Sequence, residues 1–177
     1  MIKILVDSAS DLEQQDASEL GVTVLPLQIR FGREEYLDGV SLTHREFFEK
    51  LIETDELPQT SQINEYRFDE VFASLTADGS EVIAITLSSK LSGTHASAVK
   101  AAKKYAGKVI VVDSLNACIG ERILLEYAVR LVGEGKLTAA QIAAELDEKK
   151  GKIQLLAVLD TLKYLRKGGR ISSVPAI

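Results

Sequence analysis

The chain has 177 residues, 46% of them hydrophobic and 27% charged, and its 21 Lys and Arg against 26 Asp and Glu give a formal net charge of −5. This composition is typical of a globular protein and excludes a disordered or collagen-like chain. No stretch reaches the roughly 20 consecutive apolar residues of a membrane-spanning helix, and the acidic balance argues against a nucleic-acid-binding surface.

Two further features indicate the compartment. A single cysteine cannot form an internal disulfide, so a reducing cytoplasm is the expected location. The opening run of residues 2–6 is too short for a signal peptide and is followed at once by an acid, Asp7. We therefore expect a cytoplasmic protein without a leader.

The chain opens with a β-branched run that predicts a buried strand over residues 2–7. Ser10 and Glu13 then have the spacing of a capping box. This pattern predicts a helix with Ser10 as its N-cap that runs to about Leu20 and stops at Gly21.

A second strand is predicted over residues 22–29, and Pro26 within it suggests an edge strand or a bulge. Thr43 and Asn64 are predicted to cap two helices that end near residues 53 and 77. The rest of the chain alternates strands and helices more regularly. Strands are predicted at 81–87, 108–113 and 153–159, and helices at 95–106, at 117–132 and after Thr138.

This alternation of apolar strands with helices predicts an α/β fold, a parallel sheet with helices on both faces, over residues 1–159. Residues 161–170 are predicted to form a helix and a turn, and no closing element follows them. Such an end is typical either of a frayed terminus or of a chain cut inside a longer protein.

Polar side chains gather where the predicted strands end, which is where ligands bind in open parallel sheets. The three strand ends carry Asp7 and Ser8, Ser88 and Ser89, and Asp113 and Ser114. The densest group precedes a helix, whose free N–H groups favour an anion. Its members are Ser88, Ser89, Ser92 and Thr94, and Gly93 would let a ligand approach the backbone closely. The alternative is that Ser92 is only a helix N-cap.

Two other short segments offer related chemistry. Thr60 and Ser61 precede a predicted helix and present hydroxyls on a second loop. The alternative is that these residues form only a turn followed by a helix cap. Gly169 and Arg170 place a tight turn beside a fixed cation, and the alternative is a helix C-cap.

Most enzyme signatures are missing from the sequence. There is no nucleophile elbow, no phosphate-binding P-loop and no dinucleotide-binding glycine motif. Ala9 stands where an aspartyl phosphatase would need its second carboxylate. His95 follows Ser92 by three residues, so a hydrolase using Ser92 stays an alternative, whereas two His and one Cys far apart in sequence predict no metal site.

Several motifs stand in the order seen in one family. They include the runs Thr60-Ser61-Gln62, Leu91-Ser92-Gly93-Thr94 and Gly168-Gly169-Arg170. Together they resemble the DegV family, bacterial fatty-acid-binding proteins that include the binding subunits of fatty acid kinase. The resemblance implies an N-terminal and a C-terminal α/β domain with one fatty acid between them, without cofactor or catalysis.

The resemblance also implies roles for individual residues. The carboxylate of a palmitate-like fatty acid would be bound by the hydroxyls of Thr60 and Ser92. Possible supporting residues are Ser61, Ser89, Gly93, Thr94, Asp7, Ser8, Gly169 and Arg170. Residues 160–177 would begin a C-terminal lipid-binding domain that is truncated here.

The implied partner is the catalytic subunit of a fatty acid kinase, which phosphorylates the bound carboxylate. The sequence departs from many members at two positions, with Ile63 in place of a Pro and His95 in place of a Tyr. A regulatory binding module is a third possibility, but nothing in the chain resembles a nucleic-acid surface.

Overall fold

The computed structural model describes residues 1–54 and 56–171. The strands are β1 (Ile2–Asp7), β2 (Val22–Leu25), β3 (Gln28–Phe31), β4 (Glu34–Leu37), β5 (Gln59–Ser61), β6 (Glu81–Thr86) and β7 (Val109–Asp113). The helices are α1 (Gln14–Leu20), α2 (His44–Glu53), α3 (Glu65–Thr76), α4 (Thr94–Ala102), α5 (Cys118–Glu134), α6 (Ala139–Lys150) and α7 (Lys163–Lys167). Short 3₁₀ turns lie at Ser8–Ser10 and Lys103–Tyr105.

The main sheet has four parallel strands in the order β2-β1-β6-β7, which confirms the predicted α/β class. Successive side chains of a strand point to opposite faces, and both faces are covered. Ile4 and Val6 of β1 pack in the core with α5 and α6, whereas Leu5 packs on the other face with Phe68 and Phe72 of α3. Burial on both faces explains why these strands are continuously apolar.

A second, antiparallel sheet in the order β4-β3-β5 was not predicted from the sequence. The single strand predicted over residues 22–29 is wrong, because it divides at Pro26 into β2 of the main sheet and β3 of the small sheet. Proline has no N–H to donate to a ladder. The amide of Leu27 donates to Ser8 Oγ at 3.0 Å instead of to a neighbouring strand.

The helix predicted with Ser10 as its N-cap begins three residues later, because Glu13 is the N-cap and Gln14 is the first residue of α1. Ser10 is buried in the 3₁₀ turn, where its hydroxyl donates to the Asp7 carbonyl at 2.9 Å. Asp11 then has a φ of 54°, which takes the chain out of the helical path. Gly21, with a φ of 66°, ends α1 as predicted.

The other predicted caps are confirmed. Thr43 and Thr138 form capping boxes with Glu46 and Gln141, and the Asn64 side chain accepts from the Arg67 amide at 3.0 Å. These signals lie within one helical turn, so they can be recognised without knowing the tertiary structure.

The strand predicted over residues 153–159 is wrong, since this segment forms neither helix nor strand. Leu156 and Val158 are exposed, and no strand within the described ranges pairs with them. The predicted division into residues 1–159 and 160–177 stays a prediction, and residues 172–177 lie outside the described part of the chain. Of the helices in the described ranges, none has both the length and the hydropathy to cross a bilayer.

Candidate functional site

A cavity of about 780 Å³ lies among the small sheet, α2, the loop after β6 and the segment around α7. This volume falls in the range of small-molecule sites, roughly 300–1,000 Å³. Its apolar wall includes Leu27, Phe47, Leu51, Leu57, Leu87 and Leu91. Its polar wall includes Thr60, Ser61, Gln62, Ser92, Lys167 and Arg170. The cavity therefore suits a molecule with an apolar body and one polar group.

The two predicted hydroxyl segments meet at this cavity, although about 30 residues separate them. The hydroxyls of Ser92 and Thr94 lie 2.9 Å apart, and Thr94 Oγ1 accepts from the Ile63 amide at 3.2 Å. A side chain at Gly93 would collide with Gln62. The start of α4 and the end of β5 are thus held in direct contact.

The structure modifies the interpretation of Ser92 as a helix N-cap. The N-cap of α4 is Gly93, which has no side chain to cap with. Ser92 lies one residue earlier, lines the cavity, and accepts from the Thr94 amide at 3.2 Å. Ser92 therefore satisfies one first-turn amide and is also one of the residues that line the cavity.

Thr60 and Ser61 were predicted on a loop, but they belong to strand β5. Thr60 pairs with Ile29 and Ser61 pairs with Gln28 of β3. Both residues are exposed and line the cavity. The short strand fixes the backbone beneath the two hydroxyls, which a free loop would not do.

The remaining predicted residues divide between the cavity and its surroundings. Arg170 lines the cavity and donates to the Gly168 carbonyl at 2.7 Å, while Gly169 supplies the turn with a φ of 72°. Thr94 is buried and Gly93 packs against Gln62, so both join the two segments. Their part in binding a carboxylate stays a prediction.

Ser89 lies in the same loop after β6 as Ser92, but it does not line the cavity and its amide is directed to another strand end. Its amide donates to Asp113 at 3.1 Å, at the carboxyl end of β7. Partial burial raises the pKa of Asp113, but hydrogen bonds from Ser89 and the Leu115 amide outweigh it, and the net pKa is below the usual value. Sequence reasoning grouped Ser89 with Ser92 because they are close in the chain, and the fold separates their contacts.

Asp7 and Ser8 are buried and hold the backbone at the end of β1. The Asp7 carboxylate accepts from the Leu87 amide at 2.8 Å and from the Ala9 amide at 3.0 Å. Burial raises the pKa of Asp7 to about 7, the two amides oppose this shift, and nearby Asp38 adds to it. Since Leu87 lines the cavity, Asp7 anchors part of the cavity wall.

A buried acid that no sequence motif singled out lies beside this strand end. Glu121 of α5 is fully buried, and neither carboxyl oxygen has a hydrogen-bond partner among the described residues. Burial raises its pKa well above the usual value, and the charges of Asp7, Asp11 and Asp113 raise it further. Burial and the neighbouring acids therefore both favour the neutral form of Glu121.

The contacts do not form a hydrolytic site. His95 pairs through Nδ1 with the Thr86 hydroxyl at 3.0 Å, whereas Ser92 pairs with Thr94. Within the described ranges no His, Cys, Asp and Glu side chains cluster in a way that could hold a metal ion.

Sequence reasoning missed the apolar side of the site. Phe47 and Leu51 are spaced four residues apart on α2, which places them on one helix face. That spacing was a usable signal for an apolar wall. Leu27 gave no such signal, because its position depends on the division of the predicted strand at Pro26.

A family model matches residues 1–177. The family is DegV, described as a family of uncharacterised proteins. A DegV domain-containing protein from Halalkalibacterium halodurans is 39% identical over 178 residues, which cover 99% of this chain and 62% of the relative. One from Clostridium perfringens is 34% identical over 177 residues, covering 99% and 63%. The chain therefore spans less than two thirds of the length of these relatives.

Solved structures give the same result. A DegV family protein from Thermus thermophilus, described by its fatty acid binding, superposes with a TM-score of 0.83 at 31% identity, covering 95% of this chain and 60% of that one. A stearic acid-binding protein from Eubacterium ventriosum superposes with a TM-score of 0.75 at 30% identity, covering 83% and 52%.

Proposed function

The chain belongs to the DegV family, and from that premise we propose that it binds a long-chain fatty acid in the cavity, with the carboxylate at Thr60 and Ser92. The observation that carries the proposal is the meeting of two hydroxyl-bearing segments at one largely apolar cavity. The fatty acids bound by the Thermus and Eubacterium relatives support the ligand class.

The head of the ligand needs hydrogen-bond donors. A carboxylate taken out of water is stabilised only if charge-assisted hydrogen bonds replace its hydration. Thr60 and Ser92 offer hydroxyls from two different elements, and Arg170 adds a positive charge on the same wall. This donor set supports a carboxylate rather than a neutral head group.

The tail of the ligand needs an apolar surface. Burying about 15 methylenes at roughly 0.8 kcal/mol each contributes about 12 kcal/mol before the entropic cost of binding. Phe47, Leu51 and Leu87 give the cavity that surface. Affinity is expected to come from the tail, and head-group selectivity from the hydroxyls.

The proposed role is binding without catalysis, in the cytoplasm. No general base contacts Ser92 in the part of the chain that the structure describes, so the hydroxyl has no means of activation there. By family resemblance we also propose that the bound acid is presented to the catalytic subunit of a fatty acid kinase. Incubation with such a subunit and ATP should then yield acyl phosphate only when this protein is present.

Native mass spectrometry after gentle purification tests the ligand class. The expected spectrum shows a mass increment equal to one long-chain fatty acid. A palmitate titration in the absence of other lipid should then saturate at one equivalent. Turnover of a generic ester without any retained or titratable fatty acid would contradict the proposal.

A further inference from the structure

The two proposed head-group hydroxyls lie on different sheets. Thr60 belongs to β5 of the small sheet, while Ser92 lies in the loop after β6 of the main sheet. A single carboxylate can bind both hydroxyls only if the two sheets keep a fixed relative position. The segment that joins the two sheets is therefore expected to influence ligand binding.

The sheets are joined at Leu27, the residue between Pro26 and the first residue of β3. Both backbone polar groups of Leu27 are held at this junction. Its amide donates to Ser8 Oγ at 3.0 Å, and its carbonyl accepts from the Asp38 amide at 3.0 Å. The Ser8 hydroxyl in turn donates to Asp38 Oδ2 at 2.7 Å, which closes a ring of three hydrogen bonds.

The ring gives Asp38 a defined role. A serine hydroxyl has one hydrogen and two acceptor sites. Because Asp38 takes the hydrogen of Ser8, an acceptor site of Ser8 is left facing the Leu27 amide. Ser8 and Leu27 are both buried, so a broken ring would leave polar groups without water to replace the lost partner.

We propose that Asp38, acting through Ser8, is a positioning residue. It fixes the position of the small sheet, and therefore of Thr60, relative to Ser92. The inference rests on the proposed fatty-acid function. Asp38 does not line the cavity, so its effect on a ligand would pass through Leu27 and the small sheet. In the ring its carboxylate serves as the hydrogen-bond acceptor for Ser8, so the amide oxygen of Asn should replace it there.

The test compares palmitate affinity in Asp38→Ala and Asp38→Asn with the wild type. We expect Asp38→Ala to weaken palmitate binding about tenfold. A displaced Thr60 would lose its hydrogen bond to the palmitate carboxylate, and the loss of one such bond to a charged group has about this effect. Asp38→Asn keeps an acceptor for Ser8 and should bind within about twofold of the wild type. In a Thr60→Val background, Asp38→Ala should change affinity less than about twofold, because the hydroxyl that it positions is already gone.

Asp78→Ala is the matched control. The Asp78 carboxylate accepts from the Ser80 amide at 3.0 Å and from Lys3 Nζ at 2.9 Å, but Asp78 precedes β6, at the opposite end of the main sheet. It should lower stability slightly and leave palmitate affinity unchanged. Ser8→Ala repeats the test at the second member of the ring, and it carries the test if Asp38→Ala does not fold.

The outcomes separate the two proposals. A wild-type protein that binds no palmitate contradicts the fatty-acid function itself. A wild type that binds, with Asp38→Ala equally tight or equally impaired in both Thr60 backgrounds, overturns the positioning role and leaves the fatty-acid function standing.

Discussion

The main sheet and the small sheet differ in how they are stabilised. The main sheet has apolar clusters on both faces, with Phe72, Leu125 and Ile142 fully buried. Within the described residues, the buried core of the small sheet consists of Ile29, Phe31 and Leu42, and every residue of β5 is exposed. The main sheet therefore contributes most of the buried apolar surface that stabilises the fold, whereas the small sheet contributes much of the cavity wall.

The largest expected effect is on the main sheet. Phe72→Ala, at a fully buried position in contact with Phe68 and Tyr105, should lower the free energy of unfolding by about 3–5 kcal/mol. Phe47→Ala is the contrast on the other side of the comparison, because Phe47 is only half-buried and lines the cavity. It should cost less stability and weaken palmitate binding. Urea denaturation and a palmitate titration on both variants check this, and equal losses of stability would contradict the comparison.

The next effect is a pH dependence that originates at the end of β1. The pKa of Asp7 is raised from 3.8 to about 7 in the folded protein, so the folded state binds the proton more tightly than the unfolded chain does. The contribution of Asp7 to the free energy of unfolding is therefore fully present below about pH 4. It is lost as the pH rises towards 7, by at most about 1.4 kcal/mol per pH unit.

Asp7→Asn should remove that slope. Relative to the variant, the wild type should lose a few kcal/mol of its free energy of unfolding between pH 5 and pH 8. Urea denaturation across this range measures the difference. Parallel curves for the two proteins would mean that Asp7 titrates normally.

The head-group hydroxyls should matter for affinity more than for stability. Ser92→Ala and Thr60→Val each remove one proposed hydrogen bond to a charged group, which should cost roughly 1.5–3 kcal/mol of palmitate affinity. The free energy of unfolding should change by less than about 1 kcal/mol, the value of a helix cap. If Ser92→Ala melts at a lower temperature and still binds palmitate as tightly, the cap interpretation is correct.

The smallest effects come from two matched capping boxes. Thr138 caps α6, whose Ile142 and Leu146 are in the main core, whereas Thr43 caps α2, which has no buried residue. Thr138→Ala should cost about 1 kcal/mol of global stability. Thr43→Ala should cost roughly half of that or less, because α2 contributes little to the core. Thermal unfolding of both variants checks the order.

Part of the fold was accessible from the sequence because the signals are local. Thr43, Asn64 and Thr138 form their caps within one helical turn, and β1, β6 and β7 are apolar because both faces are covered. The grouping of Thr60 and Ser92 came from the family resemblance, and the structure places both on one cavity wall. Their role as carboxylate ligands stays a prediction.

The tertiary structure decided what depends on partners distant in sequence. It divided the predicted strand at Pro26, because the Leu27 amide bonds Ser8 and β3 pairs with β4 and β5. It left residues 153–159 without a partner strand among the described residues, since a strand needs a neighbour as well as an apolar pattern. It also buried Glu121 and joined Ile63 to Thr94. A sequence specifies which side chains can pair, and only chain folding brings the partners within hydrogen-bond reach.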